Sequence, residues 1–339
     1  LKSTLSTGLL WLYLLLPGSA WAQDIHFSKW FFAPQLLSPA EIGHFPAMYR
    51  VHANQKTQWR QVSKPYTTFA LAVDGGLPSL PGPLSVGVAL MNDVAGDGRF
   101  NTFSMLTGGA WAWRPFGDDR HTLRPGIQMG LTQIRVDPDA FSFDKQFNGI
   151  VYDPSLPTGE RLARNTRWYA NVNLGAAYTY RIHARKEATA GWSVHNLNRP
   201  SQSFYNDTGV QLAVRHGWYT YGTWQLTEAW DALPAVRIMR QGTFTETIAG
   251  SAARYTLIDE RGMYRAIFAG YFGRLGDSGI AMVGAEVNEW RAAISYDINV
   301  SQLKPASRNR GGFEFSVQYL WQRTDRTRGF QHKYCPSFL

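Results

Sequence analysis

The chain has 339 residues, of which 14% are aromatic and only 17% charged; 34 basic against 25 acidic side chains give a formal charge of +9. So many aromatics with so few charges exclude a disordered chain. No stretch beyond the leader approaches the roughly 18 unbroken apolar residues of a membrane helix, and 32 glycines with 17 prolines argue against a helical bundle.

In chain order, residues 1–22 read as a secretory signal peptide. Lys2 supplies the leading charge, Leu9 to Leu16 a short apolar core, and Ala20-Trp21-Ala22 a cleavage site. Gln23, not a cysteine, stands directly after that site, which removes a lipoprotein reading. Residues 23–47 form an N-terminal periplasmic or lumenal segment. With Phe27, Trp30, Phe31, Phe32, Leu36 and Leu37 it is too apolar for a solvated tail, and it is expected to pack inside a barrel or against its periplasmic mouth.

From residue 48 to 321 the pattern is strict alternation. Phe313, Phe315, Val317, Tyr319 and Trp321 point one way, and Glu314, Ser316 and Gln318 the other. The same rule predicts strands over 48–59, 66–75, 84–93, 102–114, 123–136, 167–182, 188–197, 211–226, 229–240, 246–257, 263–273, 278–287, 290–299 and 312–321. That is about 14 antiparallel strands, an even number, as in bacterial single-chain barrels. Over 167–182 the apolar face carries Trp168, Tyr178 and Tyr180 at its ends with aliphatic residues between. Such a strand, about 40 Å long and tilted by about 45°, spans roughly 28 Å, near the thickness of a membrane hydrocarbon band. The opposite face, with Asn171, Asn173 and Gly175, suits a lumen. The fold expected is all-β: one transmembrane antiparallel barrel of the cell outer membrane, exported through a cleaved signal peptide. Both termini are expected in the periplasm, with the long connections 137–166, 198–210 and 300–311 outside. Residues 322–339 make a C-terminal periplasmic tail, where the single cysteine, Cys335, excludes an intramolecular disulfide and a zinc cluster.

Candidate chemistry is sparse. Ser193, His195 and Asn196 invite a hydrolase reading. However, residues two apart on one strand are roughly 7 Å apart, beyond nucleophile–base reach. Asp93, Asp97 and Gly98 match part of a calcium loop, yet Ala95 and Ser104 stand where further ligands are needed. Gly108-Gly109 lies inside a strand and has no following helix, so it is not a phosphate loop. Arg50, His52, Asn54 and Lys56 share one face and are expected to fill the lumen, bonded to residues such as Asp297 and Glu314. No catalytic residue, cofactor or metal is expected. The basic residues are scattered, so nucleic acid is not supported as a partner; outer-membrane lipid is. Candidate partner-binding residues are Asp24, His26, Phe27, Trp30, Phe31, Pro34 and Pro39.

Several runs carry a family likeness. Gln23-Asp24-Ile25-His26-Phe27-Ser28-Lys29-Trp30 through Pro34, then Leu36-Leu37-Ser38-Pro39-Ala40 and Gly43, resembles the opening of the PorP/SprF family of the Bacteroidetes type IX secretion system. Lys29 stands where that family usually has Gln, and Ser38 where it has Asn. Arg50-Val51 with Asn54, Gln58 and Trp59 resembles its first strand, and Tyr66 to Asp74 its second. His195-Asn196-Leu197-Asn198-Arg199-Pro200 with Ser203-Phe204, and Cys335-Pro336-Ser337-Phe338, resemble a mid-chain segment and the ending. The resemblance implies a non-enzymatic outer-membrane component of protein secretion or gliding motility. It would anchor or aid export of surface adhesins, or link to the periplasmic machinery. A passive porin or hydrophobic-solute channel is the alternative.

Overall fold

In the computed structural model, residues 24–58, 64–77, 83–96, 98–159, 164–205, 207–260, 262–301 and 310–321 are described. The residues expected to form a signal peptide, Trp59, Asp97 and the C-terminal stretch with Cys335 lie outside them. The strands are β1 (Tyr49–Gln58), β2 (Tyr66–Gly76), β3 (Leu84–Ala95), β4 (Phe100–Trp111), β5 (His121–Arg135), β6 (Thr166–His183) and β7 (Lys186–His195). They continue as β8 (Arg215–Gln225), β9 (Trp230–Gln241), β10 (Phe244–Glu260), β11 (Met263–Arg274), β12 (Ser278–Val287), β13 (Trp290–Asn299) and β14 (Arg310–Trp321). Each pairs antiparallel with its chain neighbours, and β1 closes on β14 from Tyr49↔Trp321 to Thr57↔Phe313. The result is a closed barrel with no free edge to template aggregation.

Burial along the strands is inverted relative to a soluble protein. Outward side chains such as Met129, Leu131 and Val283 are 55–58% exposed, whereas inward Gln128, Asp231 and Ser316 are fully buried. A sequence with a period of two can do this only if the apolar face meets lipid and the polar face meets a filled interior. Trp111, Trp168, Trp230, Trp290 and Trp321 stand exposed near strand ends, where an aromatic girdle belongs.

The fourteen-strand alternation read from sequence holds, with local differences. β8 starts at Arg215 rather than 211 because its predicted first residues fold back. Ser201 bridges Gln211, and Leu212 N–H donates to Pro200 O. β10 runs longer than expected, through a register shift between Thr256 and Ile258. Gly108 and Gly109 lie within β4.

One rim carries the two-residue turns 184–185 and 288–289; at the other rim lie the long connections from Arg135 to Thr166 and from His195 to Arg215. Outer-membrane barrels keep short turns in the periplasm and long loops outside, which orients the molecule. A charge placed in the middle of the outer wall tests the inverted burial. Met129→Arg should cost about 2–4 kcal/mol in unfolding from lipid vesicles. An unchanged midpoint would mean that Met129 does not face lipid.

Candidate functional site

The lumen is occupied by the chain's own N-terminal segment, 24–46. It begins at the long-loop rim. Asp24 N–H donates to Gln241 Oε1 (2.8 Å), at the end of β9, and Asp24 Oδ2 accepts from Asn196 Nδ2 (2.7 Å), just past β7. Arg215 lies 3.5 Å from the same carboxylate. The segment then descends through short turns at Trp30–Phe32, Pro34–Leu37 and Pro39–Glu41. Pro34 and Pro39 each open a turn, where a missing N–H costs nothing. Ser38 Oγ accepts from Ala40 N–H (3.2 Å) and caps the last turn. Asp24 therefore lies at the long-loop rim, and the segment reaches the short-turn rim only near Gly43.

The segment is held mostly through its backbone. Ser28 N–H and Lys29 N–H donate to the two oxygens of Glu314 (2.8 and 3.1 Å), and Ser28 Oγ donates to Asp297 Oδ2 (2.7 Å). Asn54 Nδ2 donates to Phe32 O (3.0 Å), and Lys56 Nζ to His26 O (3.2 Å). Arg124 spans Ala40 O (3.2 Å) and Ile42 O (2.7 Å). At the short-turn rim Arg50 pairs bidentately with Asp74 (3.0 and 2.6 Å), donates to Glu41 O (3.0 Å), and Asp74 also accepts from Gly43 N–H (2.7 Å). Arg50 thus meets Asp74. Asp297 and Glu314, expected to serve the Arg50–Lys56 face, hold Ser28 and Lys29 instead.

Apolar packing completes the seat. Trp30 and Phe32 are buried against Tyr219, Ile248, Phe268, Phe272 and Met282, with Phe31 and Phe272 ring centroids 5.5 Å apart. Backbone approach is close enough to need glycine. A Cβ on Gly126 of β5 would sit 2.5 Å from the Pro39 carbonyl carbon, and Gly43 holds φ +70 with its Cβ position 2.2 Å from Ser85 Cβ.

Two charged plug residues have their partners inside the lumen. The Glu41 carboxylate lies 2.9 Å from His44 Nδ1 and accepts from the hydroxyls of Tyr221 (2.7 Å) and Tyr219 (2.8 Å). Lys29 Nζ donates to Ala293 O and Glu314 O.

All seven residues proposed from sequence as partner-binding lie in the lumen. Phe27, Trp30, Pro34 and Pro39 are buried, and Asp24, His26 and Phe31 half-buried. His26 Nε2 meets Glu246 Oε2 at 2.7 Å, and Glu246 also pairs with Arg237 and Arg274. Ser193 Oγ and His195 Nε2 both donate to Leu37 O (3.0 and 3.1 Å), so the hydrolase-like pair grips the plug. Asp93 points inward and accepts from Thr68 Oγ1 (2.6 Å). Among the described residues no cluster of His, Cys, Asp and Glu is arranged to hold a metal. Below the plug, on the short-turn side, a cavity of about 670 Å³ opens. It is lined by Phe31, Pro34, His44 and charged pairs that include Arg181–Glu187 and Arg291–Glu286.

Two substitutions probe the seat. Asp74→Ala leaves Arg50 buried without its carboxylate and should destabilise the barrel by about 3–5 kcal/mol in urea unfolding. Gly126→Val should displace the plug locally at about 1–3 kcal/mol, seen as faster amide exchange over residues 35–43 with the strands unchanged. Unchanged exchange there would contradict the close contact.

No curated protein matches the sequence. Among solved structures, the toluene transporter TbuX of Ralstonia pickettii superposes with TM-score 0.50 at 9% identity, covering 86% of this chain and 94% of its own. The toluene transporter TodX of Pseudomonas putida gives TM-score 0.50 at 9% identity, covering 87% and 94%. At that identity the likeness shows the outer-membrane barrel fold alone. The family model for the type IX secretion system membrane protein PorP/SprF matches residues 19–319, nearly the whole barrel and its plug, and the chain belongs to that family.

Proposed function

We propose that this protein is a non-catalytic outer-membrane component of type IX secretion that anchors surface adhesins or aids their export, through contact with other components of the machinery. The observation that carries this reading beyond family membership is the filled lumen. Glu314, Asn54, Arg124, Ser193 and His195 of the wall are spent on one segment of its own chain, which occupies the place an open solute path would take.

The cavity on the periplasmic side is the place where another component would meet it. Phe31 and Pro34 line that cavity from the plug, so they are the two of the seven N-terminal candidates such a partner would reach. Asp24, His26, Phe27, Trp30 and Pro39 serve it only indirectly, by fixing the plug. The likeness to TbuX and TodX is one of fold, and transport of an apolar solute does not carry over from it.

Reconstituted into planar bilayers, the full-length protein should give no stable conductance, and from cells it should copurify with periplasmic or surface proteins. Deleting its gene should strip at least one large adhesin from the cell surface. Steady ionic steps from the wild type, with every adhesin still in place after deletion, would bring back a passive channel and end the secretion reading.

A further inference from the structure

The outer wall carries one feature that neither the plug nor the secretion role uses. At the long-loop end of β7–β9, Trp192, Trp218, His216 and Arg240 all face outward. Register places Trp192 opposite Trp218, and His216 between Val194 and Arg240. The His216 ring lies nearly parallel to both tryptophans, 6.2 Å from Trp192 and 5.9 Å from Trp218, at interplanar angles of 19°. Arg240 is exposed and, among the described residues, has no hydrogen-bond or ion-pair partner. Inward arginines of the same barrel are treated differently: Arg50, Arg237, Arg254 and Arg274 each have a carboxylate.

Depth decides what Arg240 meets. From Trp230, exposed near the opposite rim, to Arg240 the strand rises about 23 Å at about 3.3 Å per residue and a tilt of about 45°, close to the apolar band of about 25 Å. Arg240 therefore reaches the headgroup level with its stem along the wall, two residues above the tryptophan pair. Outward positions of the described strands at this rim hold no Asp or Glu, so the cation has no acid on the wall to neutralise it.

We propose that Arg240 and His216, with Trp192 and Trp218 beneath them, bind the phosphate headgroup of an anionic outer-leaflet lipid. The guanidinium supplies a planar fork of donors to phosphate, and the flat aromatic shelf packs against the first acyl segment. The site fixes the barrel's depth and rotation relative to the leaflet. It stands apart from the secretion role and survives if that role is wrong.

The probe is phosphatidylglycerol, titrated into the full-length protein in phosphatidylcholine nanodiscs, with retained lipid read by native mass spectrometry. The wild type should retain phosphatidylglycerol in preference to phosphatidylcholine. Arg240→Ala should weaken that retention about fivefold, the share expected of one basic residue at a charged surface. Lys145→Ala, which removes the same charge from the loop after β5, should leave it unchanged, and heat-modifiable gel mobility confirms that each variant is folded. Equal retention by wild type and Arg240→Ala overturns the site, as does an equal loss in Lys145→Ala. An acidic membrane protein captured by the wild type and lost from Arg240→Ala, without lipid preference, assigns the patch to a protein and overturns it too.

Discussion

The structure depends on a single obligation: the polar inner face of the barrel must find partners where bulk water is excluded. An unpaired buried polar group costs about 1–3 kcal/mol, and a charge costs more. Glu314 meets this obligation with two successive backbone N–H groups of the plug, and Arg124 with two of its carbonyls. The converse holds as well. A segment made of short, unlike turns has many backbone groups with no helix or sheet to satisfy them. Wall and plug thus supply hydrogen-bond partners to one another.

That reciprocity explains why the family likeness falls where it does. Among the described residues, four of the runs that resemble PorP/SprF proteins meet along the plug: the opening, the first two strands and the segment at His195-Asn196. Asp24 bonds Asn196, Arg50 binds Asp74 and Glu41 O, Asn54 holds Phe32 O, and His195 holds Leu37 O. The two departures fit the same contacts. Lys29 Nζ donates to Ala293 O and Glu314 O (both 2.9 Å), carbonyls that an amide side chain would also address, and Ser38 caps a turn as Asn would.

The wall was legible in the sequence because its rule is local. Outward and inward positions alternate within each strand, so fourteen strands and their faces follow from period alone. A place inside the barrel was one of two expected for the segment 23–47, but its contacts were not legible, because its partners are remote: Ser28 and Asp297 are 269 positions apart. Two signals pointed toward it. The apolar run 27–37 had to be buried somewhere. In addition, β10–β12 break the polar-lumen rule, with Ile248, Phe268, Phe272, Ile280 and Met282 inward while Ile267, Tyr271 and Val283 face lipid. Strands apolar on both faces require an apolar object inside, and Trp30 and Phe32 are that object. The small side chains that look like an open channel in β5 and β6 are, at Gly126, clearance for the Pro39 backbone.

The plug's direction then constrains how the protein can work. It enters from the long-loop rim at Asp24 and exits at Gly43, so its two ends are tied to opposite faces of the membrane. Its tightest polar anchors are distributed along the whole path: Asn196 and Gln241 at the outer rim, Glu314 and Asn54 in the middle, Arg124 and Asp74 at the inner rim. Releasing such a segment would expose several buried charges at once, each costing kcal/mol, which no single ligand contact at one mouth can offset. With the lumen filled along its whole length, the long outer loops and the periplasmic cavity are the surfaces this arrangement leaves open to another protein.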